Sequence, residues 1–250
     1  MDLLTISKYI VWLGIYSFIG WIYESGLRSF TNKRWYNSGF LNGPYIPIYG
    51  FGAILDIYFL SNLNDPIKIF LYSAIINCLL EYLTSWWMEK VFHGRWWNYS
   101  QKPLNINGRI YYGGFLAFGS FATFVILYFQ PWLISHTTDL MSNTSIYICA
   151  LAIVVIMSVD TVYTVVNMKD FEEKVAILSD ALVEIIDHID ERIDNLPNID
   201  KIKNIMENMS FQQRRLLNAF PSLKFEKAKF EAREIIKLVR ENNIKIFKNR

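Results

Sequence analysis

Residues Ile146–Val166 read IYICALAIVVIMSVDTVYTVV, an apolar stretch interrupted by one charged side chain, Asp160. A helix needs about 20 consecutive apolar residues to cross a hydrocarbon core of roughly 30 Å. The stretch has that length, and it lacks the alternation of polar and apolar residues that a half-buried strand would show. It therefore predicts a transmembrane helix.

Four more stretches of the same character precede it in the chain. Only helices and closed barrels satisfy their own backbone inside a bilayer, and none of the stretches has the two-residue period of a barrel strand. The predicted fold class is all-α, a polytopic membrane protein with five transmembrane helices and a helical cytosolic C-terminal tail. The other four predicted helices are Tyr9–Leu27, Tyr45–Leu63, Ile67–Trp87 and Ile110–Phe129.

Charge is concentrated after the last apolar stretch. The chain is 52% hydrophobic and 19% charged, yet sixteen of its 25 Lys and Arg and fifteen of its 23 acidic residues lie from Lys169 onward. This segregation predicts a transmembrane domain at 1–168 and a cytosolic helical or coiled-coil tail at 169–250. The net charge of +2 and the balanced tail argue against nucleic acid as a partner.

The basic residues of the connections predict the orientation. One Lys precedes the first span, and the four connections that follow carry three, one, four and no Lys or Arg. Cytoplasmic loops are the richer ones, so we expect the N-terminus outside and the C-terminus in the cytoplasm. A cleaved signal peptide is the alternative for the first stretch, but no small-residue cleavage site follows it and its far end is charged.

Acidic residues lie inside four of the predicted spans. A charged side chain there costs about 2.5–3.5 kcal/mol on insertion scales, so such groups face a partner or a wet cavity. Counted at about 1.5 Å per residue, three of them reach a similar level in the cytoplasmic third of the bilayer. The fourth, Asp56, lies nearer the middle. The acids are Glu24, Asp56, Glu81 and Asp160.

Two interpretations of these acids stay open. In the functional one they line a polar chamber, open to the cytoplasm, that binds a substrate or relays protons, with Arg28 and Arg109 as nearby cations. In the structural one Glu24 and Arg28, four residues apart, form an intrahelical pair. The other acids then hydrogen-bond between helices or extend to the interface.

The connection into the second span is rich in Gly and Pro. Glycine allows close backbone approach, and proline is tolerated at a helix start, so a broken entry segment that frames a cavity is one hypothesis. A tight cytoplasmic turn followed by an ordinary helix is the other. The candidate residues of this membrane-entry loop are Asn42, Gly43, Pro44, Tyr45, Pro47 and Tyr49.

The connection 88–109 combines aromatic and basic residues. Trp and Tyr favour the headgroup region, so an interfacial belt is the simplest interpretation of Trp96 and Trp97. The functional alternative is a cytoplasmic coupling loop that docks a partner or contacts lipid phosphate. Its candidate residues are Arg95, Trp96, Trp97, Tyr99, Asn107 and Arg109.

The tail begins with a heptad-like seam. Its spacings of four and three residues predict a coiled coil or an amphipathic helix. This helix could pack within the chain, form a dimer or dock an ATPase. We further expect helices around Asp200–Asn208, at Phe211–Ala219 behind a Ser210 cap, and at Glu226–Phe247 with a surface pair between Lys227 and Glu231. The seam residues are Phe171, Val175, Leu178, Leu182, Ile185, Ile189, Ile193 and Leu196.

Several of these segments resemble a bacterial membrane protein family, the putative ABC-transporter type IV proteins. The resemblance implies a permease-like role in a bacterial cell membrane, and it brings no substrate or catalytic residue with it. It covers most of 9–119 and a patch of the tail. The motifs that carry it are Gly20-Trp-Ile-Tyr-Glu24, the run 39–50, Glu81-Tyr-Leu-Thr-Ser-Trp86, Arg95-Trp-Trp-Asn-Tyr-Ser100 and 214–221.

Motifs of the common hydrolases do not occur. The chain has no Gly-x-x-x-x-Gly-Lys-[Ser/Thr] run, so an ATP-driven transporter would need a separate ATPase subunit. Its three histidines are far apart and there is no nucleophile elbow, so we expect no metal or other cofactor, and the missing motifs favour a protein that is not an enzyme.

The leading hypothesis is a membrane transport component, an ABC-type permease subunit that works with an ATPase. An intramembrane enzyme on a lipid or lipid-linked substrate, with carboxylates as acid and base, is the first alternative. A scaffold that recruits partners through its tail is the second. The expected partners are the lipid bilayer, the ATPase and a second copy bound through the tail.

Overall fold

The computed structural model describes the backbone of residues 1–187 and 197–241, with side chains for 1–184 and 201–239. Most of the described residues are helical, and the described residues also include one short two-stranded sheet. The elements are α1 Leu3–Asn32, α2 Pro47–Leu60, α3 Pro66–Phe92, β1 Gly94–Arg95, α4 Tyr112–Phe124, a π-helical turn Val125–Phe129, α5 Gln130–His136, α6 Asn143–Val166, α7 Phe171–Asp187, α8 Pro197–Glu207, α9 Phe211–Ala219, β2 Lys224–Phe225 and α10 Ala232–Glu241.

Within the part of the chain that the structure describes, four helical segments are long and apolar enough to cross a bilayer: α1, α3, the continuous run Tyr112–His136 and α6. The multi-pass, mostly helical architecture predicted from the apolar stretches is therefore confirmed. Each helix extends past the stretch that predicted it, because polar residues can continue a helix beyond the hydrocarbon region.

The second predicted span differs from the other four. Its helix, α2, has 14 residues and begins at Pro47, which occupies the first turn where its missing N–H costs nothing. At about 1.5 Å per residue α2 is about 21 Å long, too short to cross a core of roughly 30 Å alone. A count of five complete spans stays a prediction.

The chain enters α2 beside the middle of α1. The Ile46 N–H donates to the Ser17 carbonyl oxygen at 2.9 Å, so α2 starts level with Ser17. From Ser17 to the end of α1 at Asn32 is about 22 Å of helix. The segment 33–46, which contains no helix, therefore lies along the second half of α1.

A row of α1 side chains bonds this non-helical segment. Ser29 Oγ accepts from the Tyr36 N–H at 2.9 Å, Ser25 Oγ accepts from the Ser38 N–H at 3.1 Å, and the Trp21 indole donates to Asn37 Oδ1 at 2.9 Å. Non-helical backbone is tolerated at membrane depth only where protein or water satisfies it. We call 33–46 the entry segment.

Small residues allow α1 and α2 to approach closely. A Cβ on Gly50 would lie 2.5 Å from the Leu13 carbonyl oxygen and would also collide with Ser17 Oγ. A Cβ on Gly20 would collide with the Tyr49 ring. Beyond this contact, Trp12 and Tyr16 of α1, Ile57 of α2 and Leu133 of α5 form one buried apolar cluster. The pairing fixes α2 against the first half of α1.

The chain forms two compact units. The first contains 1–84 and 99–162, and the second contains 85–98 and 163–250. The second unit thus includes the end of α3 and the residues that directly follow it in the sequence. The division of the chain at residue 168 was based on charge alone and stays a prediction.

The second unit has its own apolar core. Phe171, Val175, Leu178 and Leu182 of α7 are all at most 2% exposed, so this part of the seam packs inside the unit. α8 and α9 occur where predicted, and Ser210 and Gln213 form a reciprocal capping box at the start of α9. The seam side chains Ile185, Ile189, Ile193 and Leu196 lie outside the described residues.

The prediction for the last helix was wrong at its start. α10 begins at Ala232 rather than Glu226, because β2 and a turn closed by the Ala228 N–H precede it. Without helix there, Lys227 and Glu231 do not pair as predicted. Lys227 lies 3.8 Å from Glu172, and Glu231 lies 3.4 Å from Arg233. The predicted end at Phe247 lies outside the described residues.

Candidate functional site

Glu24 meets α2 through a tyrosine. The Tyr49 hydroxyl donates to Glu24 Oε1 at 2.7 Å, and the Tyr49 ring lies on Gly20, one helical turn before Glu24 on α1. Tyr49 is in the first turn of α2, where the helix dipole has its positive end. The contact therefore joins a carboxylate of α1 to the start of the short helix.

Glu81 meets the loop after α3 in the same way. It is 9% exposed, and the Tyr99 hydroxyl donates to its Oε1 at 3.3 Å. A tight turn holds that loop: Asn107 and Gly108 both have positive φ, at 52° and 66°, and the Arg109 N–H donates to the Ile106 carbonyl at 3.0 Å. Two positive φ values are typical of a type I′ turn, for which Asn-Gly is the preferred pair.

These two contacts form one cluster. Glu24 lies within electrostatic range of Glu81 and of Tyr99, and Tyr49 lies within range of Tyr99. Burial and the nearby carboxylates raise the pKa of Tyr99, so its phenol stays protonated and can donate a hydrogen bond. We call Glu24, Tyr49, Glu81 and Tyr99 the carboxylate–tyrosine cluster.

The two predicted cations border the cluster. The Arg28 guanidinium lies 5.2 Å from the centroid of the Tyr36 ring and within electrostatic range of Glu24. Arg109 is 7% exposed, and its guanidinium lies 5.6 Å from the centroid of the Tyr82 ring. The electrons of an aromatic face attract a cation, so these rings stabilise the two guanidinium groups where water is scarce.

Asp56 belongs to a different group. It is 2% exposed, and it accepts a hydrogen bond at 2.6 Å from Asn77 Nδ2 of α3. Ser73, one turn earlier on α3, faces the same carboxyl group. Gly52 provides the space, since a Cβ there would collide with Asn77 Oδ1. α2 and α3 therefore meet through polar groups at this level.

Asp160 binds the entry segment. Its Oδ1 accepts from the Asn42 backbone N–H at 3.1 Å and from Asn42 Nδ2 at 3.0 Å. Its Oδ2 accepts from the Gly43 N–H at 2.8 Å and from the Tyr45 hydroxyl at 2.6 Å. Four donors on one carboxylate match the pattern of an ionised acid. This side chain attaches α6 to the entry segment.

The four acids thus divide among three groups. Glu24 and Glu81 come together, whereas Asp56 and Asp160 each have donors of their own, and a chamber shared by these acids stays a hypothesis. Two surface grooves occur elsewhere: one is lined by Ile67, Phe70 and Thr123, among others, and one by Tyr9, Ile54 and Tyr58, among others. Among the described residues no group of three or more His, Cys, Asp or Glu could hold a metal ion.

The loop 88–109 is divided between the two units. Tyr99, Asn107 and Arg109 lie over the end of α3 in the first unit, where Asn107 Nδ2 donates to the Tyr82 hydroxyl at 2.9 Å. Arg95 and Trp97 belong to the second unit.

Trp96 is a correction to the belt prediction. It is 2% exposed and packs edge-on against Phe220, with ring centroids 5.0 Å apart. Its loop pairs with the tail, since β1 is antiparallel to β2 and places Gly94 opposite Phe225. A side chain enclosed in this way cannot lie among lipid headgroups.

Sequence reasoning missed several members of these groups. Ser73, Ser25 and Ser29 are common residues in transmembrane helices, and their roles depend on which chain lies opposite. A signal was present, because Ser17, Trp21, Ser25 and Ser29 recur every four residues on α1. Such spacing places them on one helix face. On α3, Ser73, Asn77, Glu81 and Ser85 follow the same rule.

The comparisons with known proteins agree with the resemblance noted in the sequence. The model of a family described as "Putative ABC-transporter type IV" matches residues 11–165, more than half of the chain. The chain belongs to this family. The match runs from within α1 to the end of α6, and it includes Glu24, Asp56, Glu81 and Asp160. Neither the curated proteins nor the solved structures give a match to the chain.

Proposed function

We propose that this protein is an integral membrane transport component, the permease subunit of an ABC-type system with a separate ATPase, and that the carboxylate–tyrosine cluster lines its pathway. The observation that carries the proposal is the broken second crossing. A non-helical entry segment, a 14-residue helix and two carboxylates meet at one level of the first unit.

In many secondary transporters the substrate site is formed by interrupted helices. There, half-helix ends and unwound backbone contact the transported solute near the middle of the bilayer. In this chain the start of α2 lies level with Ser17, near the middle of α1, and Tyr49 connects it to Glu24. Two carboxylates and two phenols favour a cationic solute or one rich in hydrogen-bond donors.

The proposed topology counts the entry segment and α2 as one crossing, which gives five in all. The N-terminus is then outside and the tail is in the cytoplasm of a bacterial cell, in agreement with the Lys and Arg counts. In this arrangement the second unit is the cytosolic domain. The segment 85–98 belongs to the second unit, and its strand β1 pairs with β2. In this proposal the segment transmits movement of the ATPase to α3.

The experiment uses the full-length tagged protein, extracted from native membranes in mild detergent. Recovery of an ATPase supports the permease assignment, and its absence contradicts it. The pathway is tested by comparing solute levels between cells that express the wild type, Glu24→Gln or Glu81→Gln. Asp139→Asn is the matched control, because Asp139 lies in an exposed loop, 3.6 Å from Lys8.

We expect loss of uptake of at least one solute in both glutamine variants and normal uptake in the control, at equal protein levels. Equal uptake in all four proteins would refute the pathway. An intramembrane enzyme is the second candidate, because each carboxylate accepts a hydrogen bond from a tyrosine that could serve as its acid partner. A lipid precursor that accumulates in the Glu81→Gln strain would favour it.

A further inference from the structure

Asp56 is a deeply buried acid of the first unit that does not belong to the carboxylate–tyrosine cluster. The residue is 2% exposed, and the hydrogen bond from Asn77 engages its Oδ2 and leaves Oδ1 to another partner. Ser73 is fully buried, and its hydroxyl faces the same carboxyl group. A hydrogen bond between the carboxyl oxygen and Ser73 Oγ needs one hydrogen atom, which either the serine hydroxyl or a protonated carboxyl group can supply.

Two arrangements of hydrogen atoms satisfy this pair. If Oδ1 carries a proton, the neutral carboxyl group can donate to Ser73 Oγ, while Oδ2 keeps the 2.6 Å hydrogen bond from Asn77. When the proton leaves, the serine hydroxyl can rotate and donate to the carboxylate, and Asn77 still donates. The pair Ser73 and Asn77 can thus serve either protonation state.

No charge fixes Asp56 in one state. Within the described residues no charged group acts electrostatically on it, and the groups that face it from α3 are the Ser73 hydroxyl and the Asn77 amide. On the α1 side, Trp12 and Tyr16 pack on the neighbouring Ile57, and the Tyr16 hydroxyl donates to Gln130 at 2.6 Å. Asp160 is the contrast, because four donors hold its carboxylate.

We propose that Asp56, together with Ser73 and Asn77, is a proton-binding site that couples proton movement to transport. Uptake forms the O–H bond at Oδ1 and leaves the group neutral, and release restores the carboxylate and returns the proton to water.

The coupling role of this site rests on the proposed transport function, but the test measures the protonation state of Asp56 directly. Infrared spectra of the full-length protein in lipid nanodiscs are compared between wild type, Asp56→Asn, Ser73→Ala and the exposed-loop control Asp139→Asn. At neutral pH we expect a carboxylic-acid C=O band from one group that is lost in Asp56→Asn, shifted in Ser73→Ala and unchanged in Asp139→Asn. Raising the pH should convert it to a carboxylate band, and D2O should shift it.

Two results would overturn the proposal. One is an acid-region spectrum that is identical in wild type and Asp56→Asn. The other is an Asp56 band that neither titrates nor exchanges in D2O while circular dichroism shows that the helices are intact. Such a carboxyl group has no access to water and has only a structural role. Failure of the transport proposal looks different: the band titrates as expected, but Glu24→Gln and Glu81→Gln leave solute uptake unchanged.

Discussion

Replacement of Asp160 by asparagine should release the entry segment from α6. The substitution preserves shape but turns one acceptor oxygen into an NH2 group that cannot accept. Two of the four hydrogen bonds from Asn42, Gly43 and Tyr45 are then lost, and donor faces donor at that position. Hydrogen bonds to a charged group contribute about 1.5–3 kcal/mol each, and neighbouring ones are not additive, so roughly 2–4 kcal/mol is expected.

The assay reports opening of the segment through Leu41, which is 3% exposed. Leu41→Cys is placed in a background with Cys78→Ala and Cys149→Ala, and the rate of maleimide labelling is measured in membranes. At 1.4 kcal/mol per tenfold change, the loss of 2–4 kcal/mol should accelerate labelling roughly 30- to 700-fold.

Thr161→Ala is the matched control, since Thr161 is the exposed neighbour of Asp160 on α6 and bonds only its own helix at the Met157 carbonyl in the described contacts. Its labelling rate should equal that of the parent protein. If Asp160→Asn labels at the rate of Thr161→Ala, the carboxylate does not hold the entry segment, and the role given to Asp160 is refuted.

Three further substitutions test the packing. Gly50→Ala should destabilise the first unit by about 1–3 kcal/mol in thermal unfolding, because its Cβ meets a backbone oxygen, whereas Gly26→Ala, with nothing within 4 Å, should not; equal melting temperatures would contradict the α1–α2 contact. Trp96→Ala should cost the second unit about 3–5 kcal/mol, and Trp87→Ala, which is 57% exposed, much less. Similar losses in both would restore the belt interpretation of Trp96. Ser210→Ala should cost about 0.5–2 kcal/mol through loss of the capping box, and no change would mean that the cap is not formed in solution.

Local signals in the sequence were sufficient for most helices. Apolar length predicted the spans, and Ser210 predicted the start of α9, because both depend on residues within one element. The dense Gly and Pro residues of 39–52 left a broken entry and a tight turn as two open hypotheses, and Pro47 begins α2 in the structure. What each serine of α1 would bond could not be predicted, since it depends on the register of the entry segment.

Non-local pairing explains the remaining differences. Trp96 is buried because Gly94 pairs with Phe225, two residues far apart in the chain that carry no sequence signal for each other. The same pairing moved the start of the last helix from Glu226 to Ala232. All four acids lie on helices, as the apolar stretches predicted, but their estimated depth did not reveal that Asp56 and Asp160 face separate partners.

The broken second crossing is the claim from which the rest follows, and a nitroxide accessibility scan of residues 36–60 in lipid tests it most directly. We expect a period of about 3.6 residues from Pro47 onward and no such period from Tyr36 to Ile46, with the lowest accessibility where the serines of α1 bond the backbone. A helical period that continues without interruption back to Tyr36 would contradict the account.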